Sequence, residues 1–389
     1  MNISKSLLFS VLVLLVECFC SLSAGAETAL HTGRDGLMRY AINADADSAA
    51  NPYRSVLFMR DGSRITTENE WKQRRREIRD EWLSIIGEWP EIIKGQRMEL
   101  VDSVTDGDIT RYTVSFNWLP GQKTTGYLLV PRRCGSPLPA VITFFYEPET
   151  SAGLGGKPYR DFALQLARRG FVALSLGSTE TTRDKTYGLY YPSIEDAVME
   201  PLSAMAYAAA NAYEALALDD RVDASRIGVM GHSYGGKWAM FASCLYDKFA
   251  CAAWGDPGVV FDETKSGYIN YWEPWYLGYR RQPWVDVWRE DGYRYAVGAY
   301  KVLRSNGHDL HELHALMAPR PFLVSGGFSD GQERLPVLSR TAEVNRLLRY
   351  ENRIYFTQRP LHDPDAEANE VIYAFFTQFL MNNHANNTY

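Results

Sequence analysis

The sequence predicts an α/β fold, with a mostly parallel central sheet, helices on both faces and an aromatic-rich insert over one edge of the sheet. From Pro139 onward, short apolar segments typical of buried strands alternate with longer amphipathic or alanine-rich segments typical of helices. Connections between parallel strands cross from one end of the sheet to the other, so the helices cover both faces. One long segment, residues 259–306, interrupts this alternation and is unusually rich in Trp and Tyr.

The first element is predicted to be a signal peptide, residues 1–26. A short positively charged start precedes an apolar run at residues 7–16, and Ala24 and Ala26 supply the small residues of a cleavage site. An uncleaved membrane anchor is one alternative, which Glu17 disfavours because it interrupts the apolar run. A lipoprotein signal at Cys18 or Cys20 is another, which is disfavoured because small residues do not precede these cysteines. No other segment is apolar enough to span a membrane. We therefore expect a secreted or periplasmic protein with no stable membrane insertion after cleavage.

Residues 27–100 are predicted to form an N-terminal extension that begins irregularly, up to residue 66. A helix is expected over residues 67–86, because Thr67 and Glu70 have the spacing of a capping box and Gly87 follows the last helical residue. Its run of arginines is interpreted as a solvated face.

The catalytic domain is predicted to span residues 101–389. It opens with two alternating segments that suit an antiparallel pair: RYTVSFNWL and TTGYLLVP. Six buried strands are then expected at AVITFFY, FVALSLG, RIGVMG, FACAAWGDPG, PFLVSGG and RIYFTQ. Helices are expected at YRDFALQLARRG, SIEDAVMEPLSAMAYAAANAYEALA, GKWAMFASCLY and PDAEANEVIYAFFTQFL.

The insert at residues 259–306 lies between two core strands, so it should sit over the carboxyl ends of the strands, where such folds bind ligands. Trp and Tyr rings can stack against the C–H faces of sugars. Trp272 and Trp275 are therefore candidates for lining a cleft, and a lid that packs into its own small core is the alternative.

Composition excludes several functions. The chain of 389 residues has 46% hydrophobic residues and a formal net charge of −6, with no basic block, which argues against a nucleic-acid partner. Three cysteines follow the leader: Cys134, Cys244 and Cys251. They form neither a disulfide framework nor a zinc pattern and are interpreted as buried small residues, with a Cys244–Cys251 bond as the alternative.

Histidines do not indicate a metal site either. His308, His311 and His314 are spaced so that they wind round a helix instead of lining one face. We expect structural roles for them, and neither a metal nor another cofactor.

The chemistry is predicted to centre on Ser233 in VMGHSYGG, a G-x-S-x-G pattern placed after an apolar strand and before a helix. Such a turn is sterically crowded, so glycines must flank the serine. A serine hydroxyl is a weak nucleophile and needs a base within hydrogen-bond reach. His232, beside it, is expected to pack under the turn.

The partners of Ser233 should follow the last two strands in the order acid, then histidine. His362 is the predicted base, and Asp330 is predicted to orient its imidazole. Asp256, after the preceding strand, is the alternative acid, and Glu263 is a weaker one. The oxyanion hole is expected to use the backbone N–H of Tyr234, with a second donor in the loop after VITFFY, at Tyr146 or Glu147.

With these residues in place, the sequence resembles the α/β-hydrolase superfamily, and within it the carbohydrate-esterase branch of acetyl xylan esterases and glucuronoyl esterases. The segments GHSYGGKWA and DLHELHALMAPRP carry the resemblance. It implies esterase activity and a sugar contact for Lys237. Glucuronoyl esterases typically have Arg after the nucleophile, where this chain has Tyr234. GHSYGG also resembles the corresponding turn of prolyl oligopeptidases, although the chain before residue 100 is too short for their propeller.

The predicted function is therefore a serine esterase that acts on a small or glycan ester substrate. A serine hydrolase of peptides or small lipophilic esters is one alternative. An inactive hydrolase scaffold that binds glycans through the aromatic insert is the other.

Overall fold

A computed structural model describes residues 34–43, 51–132, 137–179, 183, 188–262, 276–278 and 298–382. The predicted signal peptide lies outside these ranges, as do Cys134, Glu263, Trp272 and Trp275. No helix among the described residues is long and apolar enough to cross a membrane.

A ten-stranded sheet organises the described chain. Its strands are β1 (Ala41–Ile42), β2 (Glu99–Asp106), β3 (Ile109–Leu119), β4 (Gln122–Pro131), β5 (Leu138–Phe145), β6 (Val172–Gly177), β7 (Val222–His232), β8 (Cys251–Gly255), β9 (Phe322–Gly326) and β10 (Ile354–Gln358). The order across the sheet is β1-β10-β9-β8-β7-β5-β6-β4-β3-β2. The six strands from β5 to β10 pair in parallel, and the pairs at both edges are antiparallel. The predicted mostly parallel sheet is confirmed.

Helices cover both faces of this sheet. They are α1 (Arg34–Met38), α2 (Glu68–Ile86), α3 (Pro148–Ser151), α4 (Phe162–Arg168), α5 (Pro201–Leu216), α6 (Tyr234–Leu245), α7 (Gly298–Ser305), α8 (His311–Ala315), α9 (Leu335–Leu347) and α10 (Ala366–Phe376). Neighbouring residues of a strand point to opposite faces, so Val141 and Ile142 of β5 join two different hydrophobic clusters. Helices α5 and α6 pack on one face, and α4 and α10 pack on the other.

Two element predictions need correction. The long helix expected at residues 193–217 begins only at Pro201, because proline is compatible with the first helical turn but breaks a helix interior. Residues 27–66 are predicted to be irregular, yet Ala41 and Ile42 within them form β1, which pairs with Tyr355 and Ile354 of β10 at the edge of the sheet.

The entry helix α2 begins as predicted, with Thr67 and Glu70 forming a capping box. Its arginine run is only partly a solvated face: Arg76 is exposed, whereas Arg75 and Arg79 are half-buried. Arg75 donates to the carbonyl oxygen of Leu316 at 3.0 and 3.2 Å, and Arg79 donates to that of Leu245 at 3.1 Å. These carbonyls end α8 and α6, where a cation also interacts favourably with the helix dipole.

The described cysteines, Cys244 and Cys251, are buried free thiols, as interpreted from the sequence. The described part of the chain contains no cluster of His, Cys, Asp or Glu that could hold a metal ion. His308 instead bonds to Glu312 at 2.7 Å, and Glu312 also accepts from Trp82 of α2 at 2.9 Å. His314 is fully buried, and burial lowers its pKa to about 3.

Candidate active site

Ser233 lies in the sharp turn between β7 and α6. Its backbone has φ 57° and ψ −115°, a conformation that residues with a side chain rarely adopt. The Ser233 N–H donates to the carbonyl oxygen of Gly255 at 2.7 Å, which ties the turn to the end of β8. The partly exposed hydroxyl is thereby held at the carboxyl edge of the sheet.

The flanking glycines are sterically required. A Cβ atom added to Gly231 would lie 2.1 Å from the Gly235 carbonyl oxygen, and one added to Gly235 would lie 1.9 Å from that of Phe144. A Cβ at Gly236 would lie 2.7 Å from the Gly255 carbonyl oxygen. The glycine pattern of the sequence thus reflects backbone contacts of α6 with β5, β7 and β8.

His362 connects Ser233 to a carboxylate. Its Nε2 lies 2.8 Å from the Ser233 Oγ, and its Nδ1 lies 2.5 Å from the Asp256 Oδ2. An ionised carboxylate only accepts hydrogen bonds, so Nδ1 carries the proton and Nε2 is free to accept the serine proton. The three residues follow β7, β8 and β10, whose carboxyl ends meet at one edge of the sheet.

Asp256 is held in place by backbone donors. Its Oδ1 accepts the N–H groups of Gly327 at 2.8 Å, Asp330 at 2.9 Å and Ser329 at 3.1 Å. Burial alone would raise the pKa of Asp256, but the hydrogen bonds from His362 and from these N–H groups outweigh it and lower the pKa below its usual value. The carboxylate therefore stays charged next to the imidazole.

Asp330 does not take the predicted position. Its two carboxylate oxygens accept the N–H groups of Gly258 and Val259, each at 2.7 Å, at the point where the chain leaves β8 toward the insert. Its backbone N–H, not its side chain, faces the acid, through the bond to Asp256. The structure contradicts the pairing of Asp330 with His362 and supports the alternative, Asp256.

Gly327 explains how the carboxylate of Asp256 reaches across β9. A Cβ atom at this position would lie 2.5 Å from the Leu361 carbonyl oxygen and 2.9 Å from the Asp256 Oδ2. Asp256 itself has a positive φ of 45°, which turns its side chain away from the path of β8. The double glycine in PFLVSGG was a sequence signal for this close approach, and sequence reasoning missed it.

Arg359 was also missed. This buried side chain donates to the carbonyl oxygens of His362 at 2.7 Å and Asp363 at 2.8 Å, and to that of Ser325 in β9 at 2.8 Å. It therefore fastens the loop that carries His362 to the neighbouring strand. His232 packs beside His362, with ring centroids 4.9 Å apart, and burial lowers the pKa of His232 well below its usual value.

The two residues expected at the oxyanion hole, Tyr234 and Tyr146, stack their rings on each other. Tyr234 is the first residue of α6, and its ring stacks on Tyr146 with centroids 4.7 Å apart and planes 11° apart. The Tyr234 side chain is fully buried, and its hydroxyl lies 2.8 Å from the Ser178 Oγ after β6. This tyrosine is thus a core residue that positions the loop after β5 against the turn at Ser233.

Lys237 is buried one turn into α6. Its ammonium group contacts the carbonyl oxygen of Pro257 and lies 5.2 Å from the centroid of the Tyr276 ring. Burial lowers its pKa to about 8, against the opposing effect of the Asp330 and Asp256 charges. The lysine therefore braces the point at which the chain leaves β8.

A cavity of about 590 Å³ opens beside the loop after β5. Its wall includes the aromatic residues Trp118, Tyr127 and Tyr190, and the polar residues Glu149 and Ser178. Ser178 connects this wall to the active-site turn, because its hydroxyl also contacts that of Tyr234, the residue after Ser233.

The fold and the turn at Ser233 define the class of protein: the chain has the α/β-hydrolase fold. The model of the prolyl oligopeptidase family matches residues 208–353, which include Ser233 and Asp256. No curated protein matches the chain in sequence.

Similar solved structures are carbohydrate esterases. A glucuronoyl esterase from Solibacter usitatus has a TM-score of 0.65 and 20% identity, over 86% of this chain and 100% of that one. A promiscuous carbohydrate esterase of family 15 from a marine bacterial metagenome has a TM-score of 0.61 and 16% identity, over 86% and 100%. A Bacteroides fragilis protein provisionally described as an acetyl xylan esterase has a TM-score of 0.56 and 16% identity, over 84% and 87%. The predicted resemblance to this branch is confirmed at the level of the fold.

Proposed function

We propose that the protein is a serine esterase that removes ester groups from a decorated polysaccharide or oligosaccharide outside the cytoplasm. One observation carries the proposal: the His362 ring lies within hydrogen-bond distance of both the Ser233 hydroxyl and the Asp256 carboxylate. This is the geometry of a nucleophile, a base and the group that orients the base.

In the proposed mechanism, the Ser233 Oγ attacks the ester carbonyl while His362 Nε2 accepts its proton. Asp256 stabilises the imidazolium and keeps Nδ1 protonated. The backbone N–H of Tyr234 and a second donor at Tyr146 or Glu147 stabilise the oxyanion. His362 then protonates the departing alcohol, and water, deprotonated by the same imidazole, releases the acyl group from Ser233.

A glycan substrate is supported by the names of the similar structures. Aromatic faces pack well against sugar rings. Trp272 and Trp275 remain proposed substrate contacts from sequence alone. Lys237 also remains a proposed substrate contact. Its ammonium group already donates to the Pro257 carbonyl, so a substrate would bind beside that carbonyl.

A peptide substrate is the second candidate, because the prolyl oligopeptidase model matches the segment that contains Ser233 and Asp256. The same three residues can cleave an amide, since acyl transfer to serine is common to both reactions. The leaving group and the binding cleft distinguish the two functions.

The test combines a covalent probe with a substrate panel. A fluorophosphonate should label the wild-type protein, and Ser233→Ala should abolish labelling and lower the turnover of p-nitrophenyl acetate by at least about 10⁴-fold. Ser225→Ala, on the exposed amino-terminal part of β7, is the matched control and should label normally. Acetylated xylan, methyl glucuronate esters and a proline-containing peptide amide then separate the candidates. Absence of labelling in a folded protein would sink the hydrolase proposal, and amide turnover without glycan-ester turnover would favour the peptidase.

A further inference from the structure

One short turn, residues 157–160 between α3 and α4, contacts both loops on which the proposed reaction depends. Its first residue, Lys157, contacts the carboxylate of Glu147 in the loop after β5, which is expected to supply an oxyanion donor. Its last residue, Arg160, contacts the carboxylate of Asp363, which follows the base in sequence. The strands β9, β8 and β7 separate β10 from β5 in the sheet, so the turn bridges two loops that are not neighbours there.

The contact at Arg160 reaches a loop that is already fixed from the inside. Arg359 donates to the carbonyl oxygens of His362 and Asp363 at 2.7 and 2.8 Å. The Arg160 side chain is only 17% exposed, and its Nη1 donates to the Pro158 carbonyl oxygen at 3.1 Å while its Nη2 contacts the Asp363 carboxylate. One planar guanidinium therefore links the turn to the loop of the base.

A second contact ties the same turn to the helix that follows the base. The side-chain amide of Asn369, a buried residue of α10, donates to the Tyr159 carbonyl oxygen at 2.8 Å. The helix α10 begins at Ala366, and Asp365 caps it by accepting the N–H of Ala368 at 2.8 Å. The turn thus contacts the loop of the base in its middle and the helix in which that loop ends.

The other end of the turn contacts a loop that packs against β6. The Glu147 Oε1 accepts a hydrogen bond from the Thr150 hydroxyl at 2.7 Å as well as contacting the Lys157 ammonium group. A Cβ atom added to Gly177, at the end of β6, would lie 2.7 Å from the Glu147 Cα. Lys157 therefore contacts a carboxylate whose own backbone is held in place.

The turn itself is stiff. The ring of Pro158 fixes its φ, and the Arg160 N–H donates to the Lys157 carbonyl oxygen at 3.4 Å, which closes the turn. Tyr159 has a positive φ of 59°, a conformation that favours glycine and that persists only where the surroundings hold it. A stiff connection of this length passes a displacement of one loop to the other, whereas a flexible connection would absorb it.

We propose that Lys157 and Arg160 are positioning residues, which set the separation between the oxyanion donor and His362 through this turn. Each ion pair alone adds little stability, because exposed pairs gain little over water. Their effect is geometric, since displacing a reacting group by about 1 Å costs about 10²-fold in rate. The coupling of the two loops follows from the contacts, whereas its effect on catalysis rests on the proposed function.

Hydrogen exchange of the intact protein, followed by mass spectrometry, tests the coupling without relying on catalysis. Asp363→Asn removes the charge that Arg160 contacts, and it should raise the exchange rate at least about 2-fold in residues 147–154, at the far end of the turn. Lys157→Gln should in turn raise the exchange rate in residues 359–366. Transmission in both directions is the result expected of a stiff link.

Steady-state kinetics test the consequence for the reaction. Lys157→Gln and Arg160→Gln should each lower kcat on p-nitrophenyl acetate by about 5-fold, with KM changed by less than about 2-fold, and the double variant should lose little more than either single variant. Arg160→Lys should recover most of the loss, because lysine keeps the charge toward Asp363. Added salt screens exposed ion pairs, so it should lower the kcat of wild type but not that of the double variant.

Arg169→Gln is the matched control for both measurements. Arg169, at the end of α4, pairs with Glu370 of α10, so this variant removes a surface ion pair between neighbouring parts of the fold without removing a contact to either loop. It should leave kcat and the exchange rates of both loops unchanged.

Two results would overturn the proposal. Exchange that rises only at the substituted end, or equally in the control, would show that the turn does not couple the loops. Unchanged kcat in the two glutamine variants of an active protein would show that the turn does not position the reacting groups. A wild-type protein without esterase activity would count against the proposed function, and the exchange rates would still decide whether the loops are coupled.

Discussion

Two neighbouring strand ends, those of β8 and β9, each carry a buried aspartate, yet the two carboxylates have different partners. Asp256 after β8 bonds to the imidazole of His362, and Asp330 after β9 bonds to the N–H groups of Gly258 and Val259. Each carboxylate binds the backbone next to the other aspartate. Asp256 accepts the N–H of Asp330, and Asp330 accepts the N–H groups of the residues that follow Asp256. The direction of each carboxylate therefore depends on which backbone donors surround it, and not on its place in the strand order.

The charges of the two aspartates differ as well. Hydrogen bonds to the charged form keep the pKa of Asp256 low, while burial and the neighbouring Asp256 charge raise the pKa of Asp330 to about 6. Only Asp256 has the strong stabilisation of its charge that an imidazolium partner requires.

The largest effect is expected from exchanging the two acids for amides. Asp256→Asn should lower the esterase kcat by about 10³–10⁴-fold, because the imidazole loses the carboxylate that sets its tautomer. Asp330→Asn should cost less than about 10-fold, since Asp330 acts on the site through backbone contacts. Steady-state kinetics on p-nitrophenyl acetate measure both, and a larger loss for Asp330→Asn would reverse the assignment of the acid.

A smaller but still large effect is expected from Gly327→Ala. The added Cβ would press against the Leu361 carbonyl and the Asp256 carboxylate, and displacing the acid by about 1 Å is enough to cost about 10²-fold in kcat. Gly331→Ala is the control, because its Cβ would meet only the flexible end of the exposed Glu333 side chain. Equal activities for the two alanine variants would show that Asp256 does not need this passage.

The smallest effect is on the pH dependence of the free energy of unfolding, to which the two aspartates contribute with opposite sign. The pKa of Asp330 is raised from 3.8 in the unfolded chain to about 6, so its contribution to the free energy of unfolding is greatest below pH 3.8 and is lost as the pH rises through 6. Asp330→Asn removes this loss. The free energy of unfolding of the variant, measured relative to wild type, should therefore rise by roughly 2–3 kcal/mol from pH 4 to pH 7.

Urea unfolding at both pH values measures this difference. Any constant cost of placing an amide against two N–H groups cancels in the comparison between the two pH values. The depressed pKa of Asp256 works in the opposite direction, because its contribution is present above the ordinary pKa and is lost as the pH falls. A variant that does not gain on wild type as the pH rises would contradict the raised pKa of Asp330.

Sequence patterns predicted most of what local chemistry determines. The capping box at Thr67, the alternation of strands and helices, the turn at Ser233 and the place of His362 all depend on residues close together in the chain. The identity of the acid does not, because it depends on Gly327, just after β9, leaving room for the side chain of Asp256, just after β8. For the same reason, the pattern of α2 gave no sign that Arg75 and Arg79 donate hydrogen bonds to carbonyls at the ends of two helices distant in sequence.

The substrate contacts could be predicted least. Trp272 and Trp275 lie outside the described residues, and the cavity beside the loop after β5 is assembled from segments far apart in the chain. A hydrophobic or aromatic residue has the same sequence signature whether it lines a cleft or fills a core. Only the arrangement in space distinguishes the two.

The pairing of β1 with β10 has a consequence for how the protein is made. Asn43 and Asn352 form a hydrogen bond although 309 positions separate them in sequence. The strand β1, made early in synthesis, therefore cannot pair until β10 has been made. The hydrogen bond of Arg79 likewise requires the Leu245 carbonyl at the end of α6, 166 residues later in the chain. Because the ribosome delivers the chain from the amino end, the edge strand must remain unpaired through most of synthesis. The β1–β10 pair can therefore form only after nearly the whole chain has been synthesised.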